Sequence, residues 1–375
     1  MRSRFGLMLI LLLFSVAGAR AQEERPPVTT TLADRLWLEG LLHLQTSSSS
    51  VDSSLGVDGE LRRIRIALIG TVTETVSAAI QADFDSDRAR VRDAYVEWKA
   101  TPALALRAGQ FKVPVNGIEL ESAKRLLVIE RESRIRGVSG SRTSTSGFLR
   151  SIGTSGRNRG LMLSAGLGER VTLQGGAWLG SGESGDDNDG KEYAARLTID
   201  MIEAEGRRPL VAAVAAVTNG FFGGPGDTLA TVADTTIVVR DTRYAKAFEG
   251  WLEYGRYRAA GPHAAVSVIG GDNPALPRLD GEGIGFPGFL GVQAWGEYVI
   301  STGREFLSEI GAVVRVDRFD PDTDTEDDAS LLLTPGVNLY FGEKVKLQIN
   351  HDRLLPEADA AESESAFRAQ LQLLL

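Results

Sequence analysis

Segments of about ten residues in which polar and apolar side chains alternate recur along almost the whole chain. In DAYVEWKATPALALRAGQFKVP, residues 93–114, Ala94, Val96 and Trp98 alternate with polar or charged neighbours. A period of two places successive side chains on opposite faces of a β-strand. Such a strand fits a soluble sheet whose apolar face covers a core. It also fits an outer-membrane barrel whose apolar face meets lipid and whose charged face lines a lumen.

Sixteen strands are predicted from this pattern. They are 35–45, 60–71, 73–84, 91–99, 103–113, 158–166, 170–180, 191–201, 209–218, 245–257, 262–270, 289–300, 306–318, 330–341, 344–353 and 365–374. Short connections follow the even-numbered strands, and long polar connections follow the odd-numbered ones. This layout predicts a sixteen-stranded antiparallel transmembrane β-barrel, wide enough for an aqueous channel. Fourteen or eighteen strands also fit, because 231–240 has strand character, and a secreted soluble all-β protein is the alternative fold.

The N-terminus has the layout of a secretory signal peptide. A start with two arginines precedes an apolar run over 5–16, and Ala19-Arg20-Ala21 provides the cleavage site. The apolar run is too short for a spanning helix. We therefore expect a signal peptide over 1–21 and one barrel domain over 22–375, placed in the outer membrane of a Gram-negative-type bacterium with lipid around it.

Composition argues against several other classes of protein. The chain has no cysteine, which removes disulfides, thiolate metal sites and cysteine nucleophiles. Its formal net charge of −9 argues against a nucleic-acid partner. The three histidines lie in separate strands without a catalytic motif, so no enzyme is expected. The acidic stretch 320–328 starts like a calcium loop, but Thr325 stands where glycine is needed. A solvated, self-repelling loop is the favoured interpretation, and no metal or cofactor is expected.

The segment DAYVEWKATPALALRAGQFKVPVNGIE resembles the strand–turn–strand of the phosphate-selective porin O and P family, with its D-x-Y-V-x-W and V/A-G-Q-F-K-x-P motifs. RNRGLMLSAG, AVVRVDRFDPD at 312–322 and PGVNLYF at 335–341 match further in the family's order. The resemblance implies a homotrimer of sixteen-stranded barrels with the third external loop folded into the lumen and a basic path for anions. The chain departs from the family in being acidic overall and in ending on Leu375 instead of an aromatic residue.

The third long connection, residues 114–157, is the longest, and loops of this length are usually functional. It holds eight basic and four acidic residues. Its stretch SAKRLLVIERESRIR predicts a short helix. Basic rings favour anions in pores. The alternative is that the loop arginines and glutamates only pair with one another and hold the loop to the wall.

The candidate pore-lining residues lie on this loop and on the neighbouring strands. They are Lys124, Arg125, Arg131 and Arg134 on the loop, and Arg63, Arg65 and Arg107 on the wall, with Asp93, Tyr95 and Glu97 opposite or adjacent. Lys99 is less defined because it lies by a periplasmic turn, and Lys112 because the alternation of the fifth strand slips after Gly109. The predicted function is passive diffusion of small hydrophilic solutes with a preference for phosphate-like anions. The alternative is a surface barrel that serves as an adhesin, a receptor or a structural protein.

Overall fold

The computed structural model describes residues 35–50, 58–84, 88–136, 138–180, 182–183, 190–202, 209–221, 228–232, 235–239, 242–280, 283–358 and 362–375. The predicted signal peptide lies outside these residues. Leu36–Leu375 form one compact unit.

Sixteen strands pair antiparallel in chain order, and the last pairs with the first to close a barrel. They are β1 Leu36–Ser49, β2 Asp58–Thr71, β3 Val76–Phe84, β4 Ala89–Thr101, β5 Leu104–Lys112, β6 Arg157–Leu167, β7 Val171–Trp178, β8 Glu192–Ile202, β9 Leu210–Phe221, β12 Arg243–Tyr254, β13 Gly261–Asp272, β16 Gly288–Ser301, β17 Glu309–Asp320, β18 Ser330–Phe341, β19 Val345–Pro356 and β20 Glu364–Leu374. All sixteen predicted strands are confirmed.

Two small sheets lie in the long connections. The first pairs β10, Thr228–Val232, with β11, Thr235–Val239, and the second pairs β14, Arg278–Asp280, with β15, Gly283–Gly285. The strand character predicted for 231–240 is therefore real in part. It belongs to a separate hairpin and adds no strand to the barrel.

The two faces of the barrel wall differ as the alternation predicts. In β2, Ile66 and Leu68 are exposed, whereas Arg63 and Arg65 are buried. In a closed sheet, the face whose side chains are buried is the inner one. An apolar outer belt suits lipid, and a polar inner face suits water. None of the helices among the described residues has the length and apolar character needed to cross a membrane.

The strand pairings of the described residues contain four register shifts, and two of them are β-bulges that displace an arginine. The pairing of β1 with β2 passes from His43 opposite Arg63 to Leu44 opposite Leu61, which leaves Arg62 as an extra residue. The pairing of β3 with β4 likewise skips Arg92. A bulge re-aims side chains. Strict alternation would place both arginines on the lipid side, but both are largely buried and form ion pairs with inner-side carboxylates.

The connection between β5 and β6, residues 113–156, is the third long loop and is called the third-loop segment below. Its described residues include three short helices: α1 Gly117–Leu120, α2 Gly140–Thr143 and α3 Thr145–Ser151. The helix predicted within 122–136 is wrong, since these residues form turns and bends. The reason is that barrel side chains take the place of helical hydrogen bonds. For example, the amide of Gln348 donates to the carbonyls of Leu126 and Leu127, 3.1 Å from each.

Candidate permeation site

One cavity of about 340 Å³ brings together basic side chains of the inner wall and of the third-loop segment. Among the described residues, eight cations and a single carboxylate line it: Arg63, Arg65, Arg92, Arg107, Lys112, Arg131, Arg150 and Arg157, with Asp93. They come from β2, β4, β5, β6 and the third-loop segment. This arginine cavity is therefore strongly cationic in a chain that is acidic overall.

Carboxylates beside the cavity hold the guanidinium groups in place. Asp83 pairs with Arg65 and lies 3.6 Å from Arg92. Asp93 accepts two hydrogen bonds from Arg157, at 2.9 and 2.8 Å. Paired planar contacts of this kind fix the orientation of a guanidinium and strengthen its hydrogen bonds. The arginines are therefore presented to the cavity in fixed positions.

Arg107 is held from two directions. Its Nε and Nη2 donate to one oxygen of Glu97, at 2.9 and 2.5 Å. Its guanidinium also lies 4.3 Å from the centroid of the Tyr95 ring and 5.6 Å from that of Phe111. Phe111 in turn packs against the buried Trp178. The aromatic rings hold the arginine against the wall while leaving its other N–H groups available.

A buried carboxylate organises the segment side of the cavity. Glu119 accepts a hydrogen bond of 2.7 Å from Arg150 and lies 3.7 Å from Arg131. Burial disfavours its ionisation, but these two arginines outweigh burial and hold the pKa of Glu119 well below its usual range. Burial also acts against the charge of Arg150, yet Glu119 raises the pKa of that guanidinium above its usual range. Both groups therefore stay charged.

The backbone of the segment is tied to the same residues. Arg131 donates to the carbonyls of Ile118 and Glu121, at 3.0 and 2.5 Å. The ammonium of Lys112 donates to three successive carbonyls, those of Glu119, Leu120 and Glu121. These two cations consequently fold the segment as well as lining the cavity.

A second cavity of about 540 Å³ lies towards the end of the barrel that carries the long loops. Arg134, Arg136, Asp58 and Glu60 are among its lining residues. Arg150 lines both cavities. Arg150 therefore stands between the second cavity and the arginine cavity.

The sequence matches the family described as Phosphate-selective porin O and P over residues 46–250. The chain belongs to this family. It is an outer-membrane porin by family and by fold. No protein of curated function matches the sequence.

Solved porins share the fold at low sequence identity. The anion-selective porin from Comamonas acidovorans is 10% identical, with a TM-score of 0.58 over 91% of this chain and 99% of that one. OmpF of Salmonella typhi, solved in complex with daunomycin, is 10% identical, with a TM-score of 0.59 over 91% and 97%. OmpT of Vibrio cholerae in its trimer form is 11% identical, with a TM-score of 0.53 over 91% and 99%. At such identities the likeness establishes the barrel.

Six of the ten predicted site residues line the arginine cavity of this porin. They are Arg63, Arg65, Asp93, Tyr95, Arg107 and Arg131. The other four are not among the lining residues. Glu97 lies behind Arg107, and Arg134 lines the second cavity beside Glu132. Lys124 pairs with Glu39 of β1, and Arg125 lies 3.7 Å from Glu121 and 5.5 Å from the ring centroid of Tyr257.

Four lining cations were not among the predicted site residues. Arg92 was not predicted because the sequence does not show the β-bulge that contains it. Lys112 was not predicted because the alternation slips at Gly109, which has a φ of 132°. Arg150 and Arg157 are counted in the loop charge, but nothing in the sequence shows that they converge with residues of β2 and β4. The slip at this glycine is visible in the sequence, but the slip does not show which face Lys112 takes.

Acidic and amide side chains of the other strands hold the third-loop segment. Glu249 of β12 accepts the backbone N–H groups of Asn116 and Gly117, at 2.9 and 2.7 Å. Asp317 of β17 accepts the hydroxyl of Thr145 at 2.7 Å. The two accepting side chains lie on the inner face of β12 and β17, which are far in sequence from β5 and β6.

The acidic stretch 320–328 is only partly the solvated loop predicted from its composition. Asp322 is 4% exposed and pairs with Arg278, which also lies 3.2 Å from Asp324. Arg278 thereby joins the connection between β13 and β16 to the connection between β17 and β18. Within the described part of the chain, no cluster of three or more His, Cys, Asp or Glu side chains could hold a metal ion.

Proposed function

We propose that this porin mediates passive diffusion of small hydrophilic solutes with a preference for small anions such as phosphate. The observation that carries the proposal is the arginine cavity, with eight cations against one carboxylate in a chain of formal net charge −9. Rings of basic residues favour anions in pores. The family description and the anion selectivity named for the Comamonas porin support the same preference.

We infer that the third-loop segment lies in the lumen and narrows it. Its contacts with Glu249, Asp317 and Asn350 on inner-face positions of β12, β17 and β19 support this placement. The segment then fills the half of the lumen next to those strands. The open path is left against β2 to β7, whose side chains line the arginine cavity. An anion entering from the long-loop end would pass Arg150 to reach it.

The acidic external loops do not set the sign of the preference. At physiological salt the Debye length is ~8 Å, so charges on distant loops are screened from the narrow zone. Inside it, low-dielectric walls and fewer waters strengthen the effect of local charges. A guanidinium has five N–H donors, and a paired carboxylate occupies only some of them. The remainder can bind an anion briefly and release it, as conduction requires.

We also propose that the porin assembles as a homotrimer surrounded by outer-membrane lipid. The structural neighbour described as a trimer form supports this assembly. On the outer face, the small residues Ala212, Val214 and Gly250 lie in an apolar groove of about 490 Å³, which suits close packing. A mass corresponding to one chain in mild detergent would contradict the trimer.

The ion preference is tested by the reversal potential across a planar bilayer in a salt gradient. We expect anion selectivity in the wild type. The double variant Arg107→Gln, Arg157→Gln should abolish or invert this anion selectivity. The reason is that it leaves the carboxylates of Glu97 and Asp93 without their partners. The matched control replaces two exposed arginines outside the cavity, Arg304→Gln and Arg318→Gln, and should keep the wild-type preference.

Each variant must first migrate as a folded barrel on an unheated gel. Cation selectivity in the wild type, unchanged by the cavity replacements, would overturn the proposal.

A further inference from the structure

The short turn between β12 and β13, residues 255–260, points a tyrosine into the barrel. In outer-membrane barrels such short turns stand at the periplasmic end. The hydroxyl of Tyr257 lies 3.2 Å from the backbone carbonyl of Lys124 and donates to it. The third-loop segment begins and ends at the opposite end of the barrel, after β5 and before β6. The contact therefore joins a turn at one end to a loop from the other.

Arg258 anchors the same turn. Its φ of 60° lies in the left-handed region, which is unusual for a residue with a side chain. Its Nη2 donates to Glu309 at 2.6 Å and to the carbonyl of Gly342 at 2.9 Å. Its guanidinium lies 4.6 Å from the ring centroid of Tyr340. Strained residues persist where the surroundings over-determine them, and here Glu309 at the start of β17 and Gly342 in the turn between β18 and β19 contribute to that constraint.

Tyr257 belongs to a group of donors that bind three carbonyls of the segment, those of Lys124, Leu126 and Leu127. We call this group the carbonyl clamp. Its donors are Tyr257, Asn338, Lys346, Gln348 and Gln372, at donor–acceptor distances of 3.0 to 3.4 Å. Four donors come from β18, β19 and β20, and Tyr257 alone comes from a turn.

The tyrosine ring also supports the segment by apolar contact. It packs against the cluster formed by Leu127, Val128 and Val313. Burial, with the nearby Glu297, raises the pKa of Tyr257 above its usual range. The hydroxyl therefore keeps its proton at physiological pH and remains a donor.

We propose that Tyr257 is a positioning residue for the constriction. The turn 255–260 supports the third-loop segment from the end of the barrel that carries the short turns. Residues 124–128 rest on the turn and the clamp, while Ala123 and Arg131, on either side of them, line the arginine cavity. Fixing one part of the segment thus fixes the width of the cavity at the other. The inference rests on the proposed pore function and deepens it.

The test uses a single cysteine as a reporter of undocking. The chain contains no cysteine, so Val128→Cys introduces a unique thiol at a position that is 7% exposed. A water-soluble maleimide should label it slowly in the purified protein, because the thiol is covered while the segment is docked. Adding Tyr257→Phe removes only the hydroxyl and should accelerate labelling about fivefold, the factor that one net hydrogen bond supports.

The matched control is Tyr254→Phe, three residues earlier, where the side chain is 41% exposed on the outer face. It removes a hydroxyl near the same turn and should leave the labelling rate unchanged. A second variant, Arg258→Gly, relieves the left-handed φ but removes the anchor, and it should also accelerate labelling.

The labelling is measured well below the temperature at which the barrel unfolds on a gel. A purely structural role would lower that temperature without changing the labelling rate. Equal rates with Tyr257 and with Phe at this position would overturn the inference. The readout needs no salt gradient. If labelling accelerates but the wild-type pore prefers cations, the proposed anion preference fails and the positioning role stands.

Discussion

The guanidinium of Arg107 lies 4.3 Å above the ring of Tyr95, two strand positions from Glu97, to which the same guanidinium donates. The side chain of this arginine is 28% exposed. It is therefore held between a ring and a carboxylate while still facing the cavity. An arginine fixed in this way needs no further ordering when an anion arrives, so less entropy is lost on binding.

The ring of Tyr95 should matter more than its hydroxyl. Tyr95→Ala removes a cation–π contact of about 0.5 to 2 kcal/mol and lets Arg107 move. We expect the reversal potential to shift towards weaker anion preference. Tyr95→Phe retains the ring and should behave as the wild type. Equal shifts in both variants would show that the hydroxyl, and not the stacking, is responsible.

Arg92 should contribute to selectivity although the alternation of β4 places it on the lipid side. The bulge turns it towards Asp83, 3.6 Å away, and it lines the arginine cavity. Arg92→Gln should therefore weaken the anion preference measured by reversal potential. Arg88→Gln carries the same charge change at an exposed position four residues earlier and serves as the control. If the two variants behave alike, long-range charge and not the cavity sets the preference.

The strands of this barrel are predictable because lipid and water select the two faces of every strand. Arg63 and Arg65 were placed on the inner face by alternation alone, and both line the cavity. Alternation fails where a bulge inserts a residue, as at Arg62 and Arg92. Nothing in RRIR or RVRD distinguishes a bulge from an unbroken strand.

The path of the third-loop segment could not be predicted for a different reason. Several of its carbonyls are bound by side chains more than two hundred residues away, such as that of Leu126 by Gln348. A backbone carbonyl is the same in every residue, so the sequence carries no mark of which ones are bound. The helical pattern of 122–136 was therefore misleading, because local propensity was overridden by distant donors.

Glu249 should be important for stability. Its side chain is fully buried, pairs with Arg196 at 2.9 Å and receives the first turn of α1. Glu249→Gln leaves Arg196 buried without its partner, which typically costs about 3 to 5 kcal/mol. The temperature of the gel shift from folded to unfolded barrel should fall. Glu253→Gln, on the same strand but 21% exposed at its side chain, should change it little.

The loop between β17 and β18 should be more stable in acid. Partial burial and the neighbouring Asp320 and Asp322 raise the pKa of Asp328 from its ordinary 3.8 to about 6. A pKa that is raised by folding stabilises the folded loop below pH ~4, and this contribution is lost as the pH rises through ~6. The gel-shift temperature of the wild type, relative to Asp328→Asn, should therefore fall between pH 4 and 7. A difference independent of pH would contradict this assignment.

Gly109 should tolerate no side chain. Its φ is 132°, and a Cβ there would lie 2.2 Å from the carbonyl oxygen of Ala94 on the paired strand. The oxygen belongs to the backbone of β4 and the Cβ would be bonded directly to the backbone of β5, so the clash can be relieved only by breaking the β4–β5 pairing. Gly109→Ala should therefore yield little folded barrel on an unheated gel. Gly250→Ala is the control, because its Cβ would meet nothing within 4 Å on the outer face, and it should fold as the wild type does. Normal folding of Gly109→Ala would mean that this stretch of β5 adopts another conformation, in which Lys112 need not face the arginine cavity.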